Sequence, residues 1–215
     1  MAEVVLYGAA YSVYVRIARL ALEEKGVAYR LEEVDMFAEG GPPAGYLARQ
    51  PFGRIPAFAH GEFELYETAA IVRYVDEAFD GPALQPAAPK ARARMNQITS
   101  LLDNYAYRTL VWDILVERVI VPEEGGRSDE AKIAAAIPRA QTCLSALENL
   151  MGTAEFLAGD ALTLADLQAA SMIACFRLAP EGAALMAEHP ALSQWWGRMA
   201  ARPSMAATRP PRERA

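Results

Sequence analysis

Three short stretches of the chain carry residue types and spacings that can do chemistry. In GAAYS (8–12) a serine follows a glycine turn and opens a run with helical periodicity. A hydroxyl at a helix start, beside main-chain N–H groups that have no intrahelical partner, can stabilise a bound anion such as a thiolate. It can equally be an ordinary N-cap. In PFGRIPAF (51–58) a proline stands behind a glycine turn at the start of a strand. Proline has no N–H for a ladder. A cis Ile55-Pro56 bond there would expose the Ile55 main chain as a strand-like edge for an extended peptide. Eleven residues later, Glu67-Thr68 stands where a helix begins. Free N–H groups and a hydroxyl suit a carboxylate, and a glutamate suits an ammonium, so together they fit an α-amino acid end. A glutamate that merely complements the helix dipole reads the same way.

Other chemistries are excluded or disfavoured. Only two histidines, His60 and His189, are present, which makes a histidine-rich metal site very weak. Neither stands in a triad-like context, and Ser12 lacks the G-x-S-x-G elbow of a nucleophile, so its expected role is to donate a hydrogen bond. Cys143 and Cys175 make no metal or disulfide pattern and fit a reducing cytosol. The net charge of −6 disfavours non-specific attraction to nucleic acid or anionic membranes. The opening MAEVVLYGAAYS has no basic segment followed by an apolar run, so a cytoplasmic protein is expected.

The elements that must position these residues follow from periodicity. VVLYG (4–8), YRLEEVDM (29–36), IPAFA (55–59) and FELY (63–66) read as strands. Residues 12–26 and 67–79 read as helices, with Ser12 as N-cap and Gly26 as a stop, and 40–50 reads as a loop leading into a short helix. The order β-α-β-α-β-β-α predicts a small α/β domain with a mixed sheet over residues 1–79. DGPALQPAAPK (80–90) reads as a linker. Residues 91–120, 129–151, 163–178 and 191–201 read as helices of an all-helical domain over 91–205, followed by a flexible tail at 206–215. Thr163 and Asp166 form a capping-box pattern with a structural role, and Trp195-Trp196 reads as packing of the last helix.

Strand–turn–Ser12–helix, then GRIPAF, then ELYETAAIVRYV, then a proline-rich linker and GDALTLADL, together resemble a cytosolic glutathione S-transferase. The resemblance covers nearly the whole chain, from VVLYG to RPS at 202–204. It is closest to serine-type, phi- and theta-like members of bacterial appearance. It implies an α+β thioredoxin-like N-terminal domain that binds glutathione and an all-α C-terminal domain that supplies most of the second-substrate pocket. By the same resemblance, Pro56 is cis and the Ile55 main chain pairs with the cysteinyl part of glutathione. Glu67 and Thr68 hold the γ-glutamyl end. Ser12, four residues before Arg16 as in the serine-type classes, faces the glutathione sulfur, with Tyr7 as the alternative thiol activator. Asp103 in LLDNY matches an acidic position that reaches glutathione across a dimer. Ala10, Tyr11, Tyr14 and Phe37, with Tyr105, Tyr107, Arg108 and Trp112, are candidates to line the electrophile cleft. Glutathione is then a co-substrate with no further cofactor, the other substrate is a small hydrophobic electrophile, and a homodimer is expected.

The chain also departs from the pattern. AEGGPPAG lacks the phi-type basic residues for the glycine carboxylate, and Arg54, where phi members often have glutamine, is the substitute. AAY at 9–11 replaces the zeta-class S-S-C, and no cysteine lies near Ser12. Two other readings stay open: a non-enzymatic binding or assembly module on the same fold, and a glutathione-dependent peroxidase or dehalogenase.

Overall fold

The computed structural model describes residues 2–214, of which Arg214 by its backbone alone. They divide into two compact units, Met1–Leu84 with Pro203–Ala215, and Gln85–Arg202. In the first unit, β1 (Val4–Tyr7), α1 (Val13–Glu24), β2 (Arg30–Glu32), α2 (Tyr46–Arg49), β3 (Ala57–His60), β4 (Phe63–Tyr66) and α3 (Thr68–Ala78) follow in the expected order. The sheet runs β2-β1-β3-β4, with β2 parallel to β1 and the other pairs antiparallel. α1 buries Val13, Ile17, Leu20 and Ala21, and α3 buries Ile71, Val72 and Val75. These are the i, i+3, i+4 stripes that bring an amphipathic helix down on a sheet or another helix.

Two strands are shorter than their periodicity. β2 stops at Glu32 because β1 turns away at Gly8, whose N–H makes the last bond, 2.9 Å to the Glu32 carbonyl. Beyond it Val34 turns inward to pack with Tyr46 and Ala57. β3 starts only at Ala57, since Pro56 has no N–H to offer the ladder.

Buried charges tie loose ends into this unit. The Lys25 ammonium, at the end of α1, donates to the Asp76 carbonyl (3.0 Å), the Asp76 carboxylate (3.2 Å) and the Pro82 carbonyl (3.1 Å). Asp76 Oδ1 also accepts the Leu84 N–H at 2.8 Å, and Leu84 is buried. The first half of the expected linker is therefore folded onto the unit.

The chain's end is a larger correction. The tail expected to be flexible from residue 206 packs on α1 after the short helix α10 (Pro203–Ala207). Thr208 is fully buried and Pro210 is buried. Arg16, only 2% exposed, spends its whole guanidinium there. Nε donates to the Thr208 hydroxyl (3.4 Å), one terminal nitrogen to the Met205 carbonyl (3.2 Å) and the other to the Glu213 carboxylate (2.5 Å). Arg19 donates to the Ala207 and Thr208 carbonyls. A buried guanidinium needs such partners, so a basic, proline-rich tail is held by acceptors that its composition does not advertise.

The second unit is helical. α4 (Pro89–Leu101) continues into a π-helical segment (Leu102–Ile120) and α5 (Val121–Glu123). α6 (Glu130–Met151) carries Pro138 in its interior, and α7 (Leu164–Phe176) is buried along its whole length. α8 (Pro180–Ala187), absent from the periodicity reading, and α9 (Pro190–Ala200) complete it. α8 is short and contains Gly182, where an added Cβ would stand 2.0 Å from the Phe176 carbonyl oxygen. Glycine lowers helical propensity, but close approach requires it here. Asp166, fully buried, is the hub expected of the capping pattern. Its carboxylate accepts the Thr163 N–H and hydroxyl (both 2.8 Å), the Leu157 N–H (2.8 Å) and the Trp195 indole N–H (2.9 Å). Burial pushes its carboxyl up while these four donors pull it down.

Replacing Glu213 by alanine strips the buried Arg16 of its carboxylate, and breaking a buried pair on one side costs about 3 kcal/mol. Urea unfolding should show a loss of that size, largely recovered when Arg16 is also replaced by methionine. An unchanged midpoint for the single variant would mean the tail does not hold Arg16 in solution.

Candidate functional site

The sheet register explains why the three chemically suggestive stretches meet. Glu32, Tyr7, Ala57 and Tyr66 form one row across the four strands. Immediately beyond that row lie the 33–37 loop, the Gly8–Ser12 turn, Ile55-Pro56 and Glu67-Thr68. Four connections thus leave or enter the sheet at the same end.

Gly8 sets the spacing between two of them. A Cβ there would stand 2.4 Å from Val15 Cγ2 and 3.4 Å from Ile55 Cβ. Only a residue without a side chain lets the end of β1 lie against both the first turn of α1 and Ile55. Ser12 is the N-cap of α1, in extended conformation (φ −74°, ψ 130°), and its hydroxyl oxygen accepts the Val15 N–H at 3.4 Å. That bond uses an acceptor lone pair and leaves the hydroxyl proton to donate.

The Ile55-Pro56 peptide is cis. Its approach is built by Tyr46, which opens the short helix expected to follow the 40–50 loop, and by Gln50 at that helix's C-cap. The Gln50 side chain, buried at 2% exposure, accepts the Phe52 N–H (2.7 Å) and the Arg54 N–H (3.4 Å). The Tyr46 hydroxyl donates to the Arg54 carbonyl at 2.7 Å, and burial pushes its ionisation up to about 12. These bonds fix the main chain of Arg54, whose side chain is exposed. Their signal in the sequence is the i, i+4 pair Tyr46 and Gln50 just before the glycine turn.

Glu67 is the only described non-glycine residue with positive φ (φ 70°, ψ 112°). A residue with a Cβ rarely adopts that region, and such strain persists where the surroundings enforce it, commonly at ligand clamps. The Glu67 carbonyl accepts the Ala70 and Ile71 N–H groups at 2.9 and 3.0 Å. The N–H groups of Thr68 and Ala69 belong to the opening turn of α3, where the helix itself offers no acceptor.

Tyr7, the alternative activator, packs with Val34, Tyr46, Met36, Ala57 and Ile55 on the α2 side of the sheet. The Arg49 guanidinium lies 4.6 Å above its ring and is also paired with Glu64. Of the first-unit electrophile candidates, Tyr11 and Phe37 come together with ring centroids 6.2 Å apart and are 43% and 75% exposed. Ala10 and Tyr14 are half-buried beside them in sequence. In the second unit Tyr105 and Trp112 are exposed. Arg108, exposed like them, makes an ion pair: its Nε donates to Asp113 at 2.9 Å, and Arg139 holds the other carboxylate oxygen at 3.0 Å. Asp103 accepts the Gln168 amide at 2.7 Å.

Known proteins share this fold along nearly the whole chain. The family model described as the glutathione S-transferase N-terminal domain matches residues 6–83, and that of the C-terminal domain matches 98–203. The chain belongs to the glutathione S-transferase family. Glutathione S-transferase 4 of Zea mays is 34% identical over 201 residues, covering 93% of this chain and 88% of that one. The apo structure of glutathione S-transferase III superposes with a TM-score of 0.85 at 30% identity, covering 96% of this chain and 95% of the other. Glutathione S-transferase I from mais, in complex with an atrazine glutathione conjugate, gives 0.86 at 28% identity, covering 96% of both. The fold expected for both domains, thioredoxin-like followed by all-helical, is that of the family.

Gly8→Ala forces overpacking against Val15 and should cost about 2 kcal/mol in urea unfolding. For Tyr46, a raised folded ionisation means stability that is complete below its ordinary value near 10 and is lost as pH climbs towards 12. The parent should therefore lose stability across that window more steeply than Tyr46→Phe, as measured by urea midpoints at stepped pH. Parallel pH curves would show that the Arg54 loop does not rest on this hydroxyl.

Proposed function

We propose that the protein conjugates glutathione to a small hydrophobic electrophile, with Ser12 as the group that turns the thiol into a thiolate. The observation that carries this reading is the convergence at one sheet end of a helix-capping hydroxyl, a cis Ile55-Pro56 edge and a strained Glu67 opening a second helix. Each matches one part of glutathione in turn: sulfur, cysteinyl main chain and γ-glutamyl end. The conjugate held by the mais relative, as its description states, supports the same class of reaction.

The chemistry needed from the protein is modest. A free thiol ionises near 8.5, and each unit by which the site lowers that value takes about 1.4 kcal/mol, the size of one charge-assisted hydrogen bond. The Ser12 hydroxyl donates to the sulfur, and the positive end of α1 adds to it. The thiol proton leaves to solvent, the sulfur attacks the electrophilic carbon, and the leaving group departs with its electron pair. Holding both reactants together supplies the proximity term. Arg54 takes the glycine carboxylate, and its fixed main chain presents the guanidinium for that contact. Tyr7 is the weaker candidate for the thiol, because its ring is occupied between the apolar cluster and Arg49. Asp103 acts in glutathione binding across a homodimer, in the role its position resembles. No described helix is long and apolar enough to cross a membrane, and the cytoplasm, where glutathione is reduced, is the compartment this reading requires.

Calorimetry with glutathione, paired with mass spectrometry of the product formed with 1-chloro-2,4-dinitrobenzene, tests the reading. The parent should bind glutathione and form the thioether. Arg54→Ala should weaken glutathione binding roughly tenfold, the worth of a charge-assisted contact. A parent that binds no glutathione would overturn the transferase reading in favour of a binding or assembly module.

A further inference from the structure

The residues beside Ser12 carry a charge pattern that the reaction itself does not need. Tyr11 precedes Ser12, and its ring meets that of Phe37 at 6.2 Å with a tilt of 31°, both rings exposed. Two exposed aromatic rings in contact make an apolar platform that suits another ring. The loop that presents Phe37 is acidic: Glu33, Asp35 and Glu39 lie on it, and no lysine or arginine occurs from residue 31 to residue 48. Asp35 is built into the platform. Its carboxylate accepts the Phe37 N–H at 2.9 Å. Burial first, and after it the charges of Asp35 and Glu33, push the ionisation of the Tyr11 hydroxyl up.

The flanking cations do not neutralise the loop. Arg30 is paired with Glu3 and Glu32. Arg49 is paired with Glu64 and covers Tyr7. Arg54 is given to glutathione in the reading above. The platform therefore presents apolar rings under a negative field.

We infer that the second substrate is an aromatic electrophile of neutral or positive charge, taken on the Tyr11–Phe37 platform, and that Glu33 and Asp35 turn anionic electrophiles away. This rests on the transferase reading and adds to it the charge class of the electrophile. Two carboxylates within several ångströms of a bound anion, at a surface where water still screens, discriminate by about fivefold. High salt shrinks that factor.

The test uses three aryl chlorides that share the 4-chloro-3-nitrophenyl ring and differ in charge: 4-chloro-3-nitrobenzamide, 4-chloro-3-nitrobenzoate and (4-chloro-3-nitrobenzyl)trimethylammonium. In each, the glutathione sulfur forms the bond to the ring carbon and chloride leaves with its electron pair. Each kcat/KM is divided by the rate constant of the uncatalysed glutathione reaction at the same pH, which removes intrinsic reactivity. The parent should enhance the benzoate about fivefold less than the amide, and the cation at least as well as the amide. Asp35→Asn should bring the benzoate-to-amide ratio towards one. Glu33→Lys, which leaves the Asp35 bond to the Phe37 N–H in place, should do so more strongly. Equal enhancement of all three in the parent, or a ratio that neither variant moves, overturns the inference. So does failure to turn over any of the three while bound glutathione still ionises, since the platform would then take no ring of this kind. If bound glutathione does not ionise, the transferase reading falls, and the inference falls with it.

Discussion

The site depends first on a missing side chain. At Gly8 the end of β1, the first turn of α1 and Ile55 approach so closely that a methyl group would stand 2.4 Å from Val15. This contact holds the Ser12 helix start and the cis Ile55-Pro56 edge against one strand end. The sheet register does the rest by setting Tyr7, Ala57 and Tyr66 in one row, so that Glu67 emerges beside them. A hydroxyl that caps a helix and a strained glutamate that opens another are unremarkable features singly. Their chemistry comes from being placed at a common end of a short sheet.

Around that centre the two units solve a shared problem in different ways. Arg16, Lys25 and Asp166 are all buried charges, which would be costly without partners. Lys25 and Arg16 are satisfied partly by main-chain carbonyls and partly by one carboxylate each, and in doing so they fasten the linker and the chain's end to α1. Asp166 takes four N–H and O–H donors and joins the 157–163 loop, α7 and α9. Each polar group acts where chain segments distant in sequence must be brought together, a task that apolar packing alone specifies loosely.

Much of this was legible in the sequence, for physical reasons that particular residues show. Thr163 and Asp166 announced their cap, because N-cap chemistry is local and fixed in spacing. Pro56 behind Gly53 announced an unusual main chain at a strand start, and Glu67-Thr68 a helix start, while the positive φ of Glu67 had no signal in the sequence. What stayed hidden was tertiary. Gly8 read only as the end of a strand, since close approach to Val15 and Ile55 is invisible until α1 folds back. Tyr46 and Gln50 read only as a loop leading into a short helix, because their donor and acceptor roles are toward main chain further on. The tail read as flexible from its prolines and arginines, yet its Thr208 hydroxyl and Glu213 carboxylate answer a buried Arg16 almost 200 residues away. The ion pair of Arg108 with Asp113 had no clear signal either.

The central claim is that the Ser12 hydroxyl, pointed by the close packing at Gly8, stabilises the glutathione thiolate. An ultraviolet difference titration of bound glutathione across pH, on the parent, Ser12→Ala and Tyr7→Phe, tests it directly. The account predicts a parent thiol ionising at least one unit below its free value of about 8.5, return towards that value in Ser12→Ala, and little change in Tyr7→Phe. A depressed value that survives in Ser12→Ala and is lost in Tyr7→Phe would contradict the account and move the chemistry to the strand end.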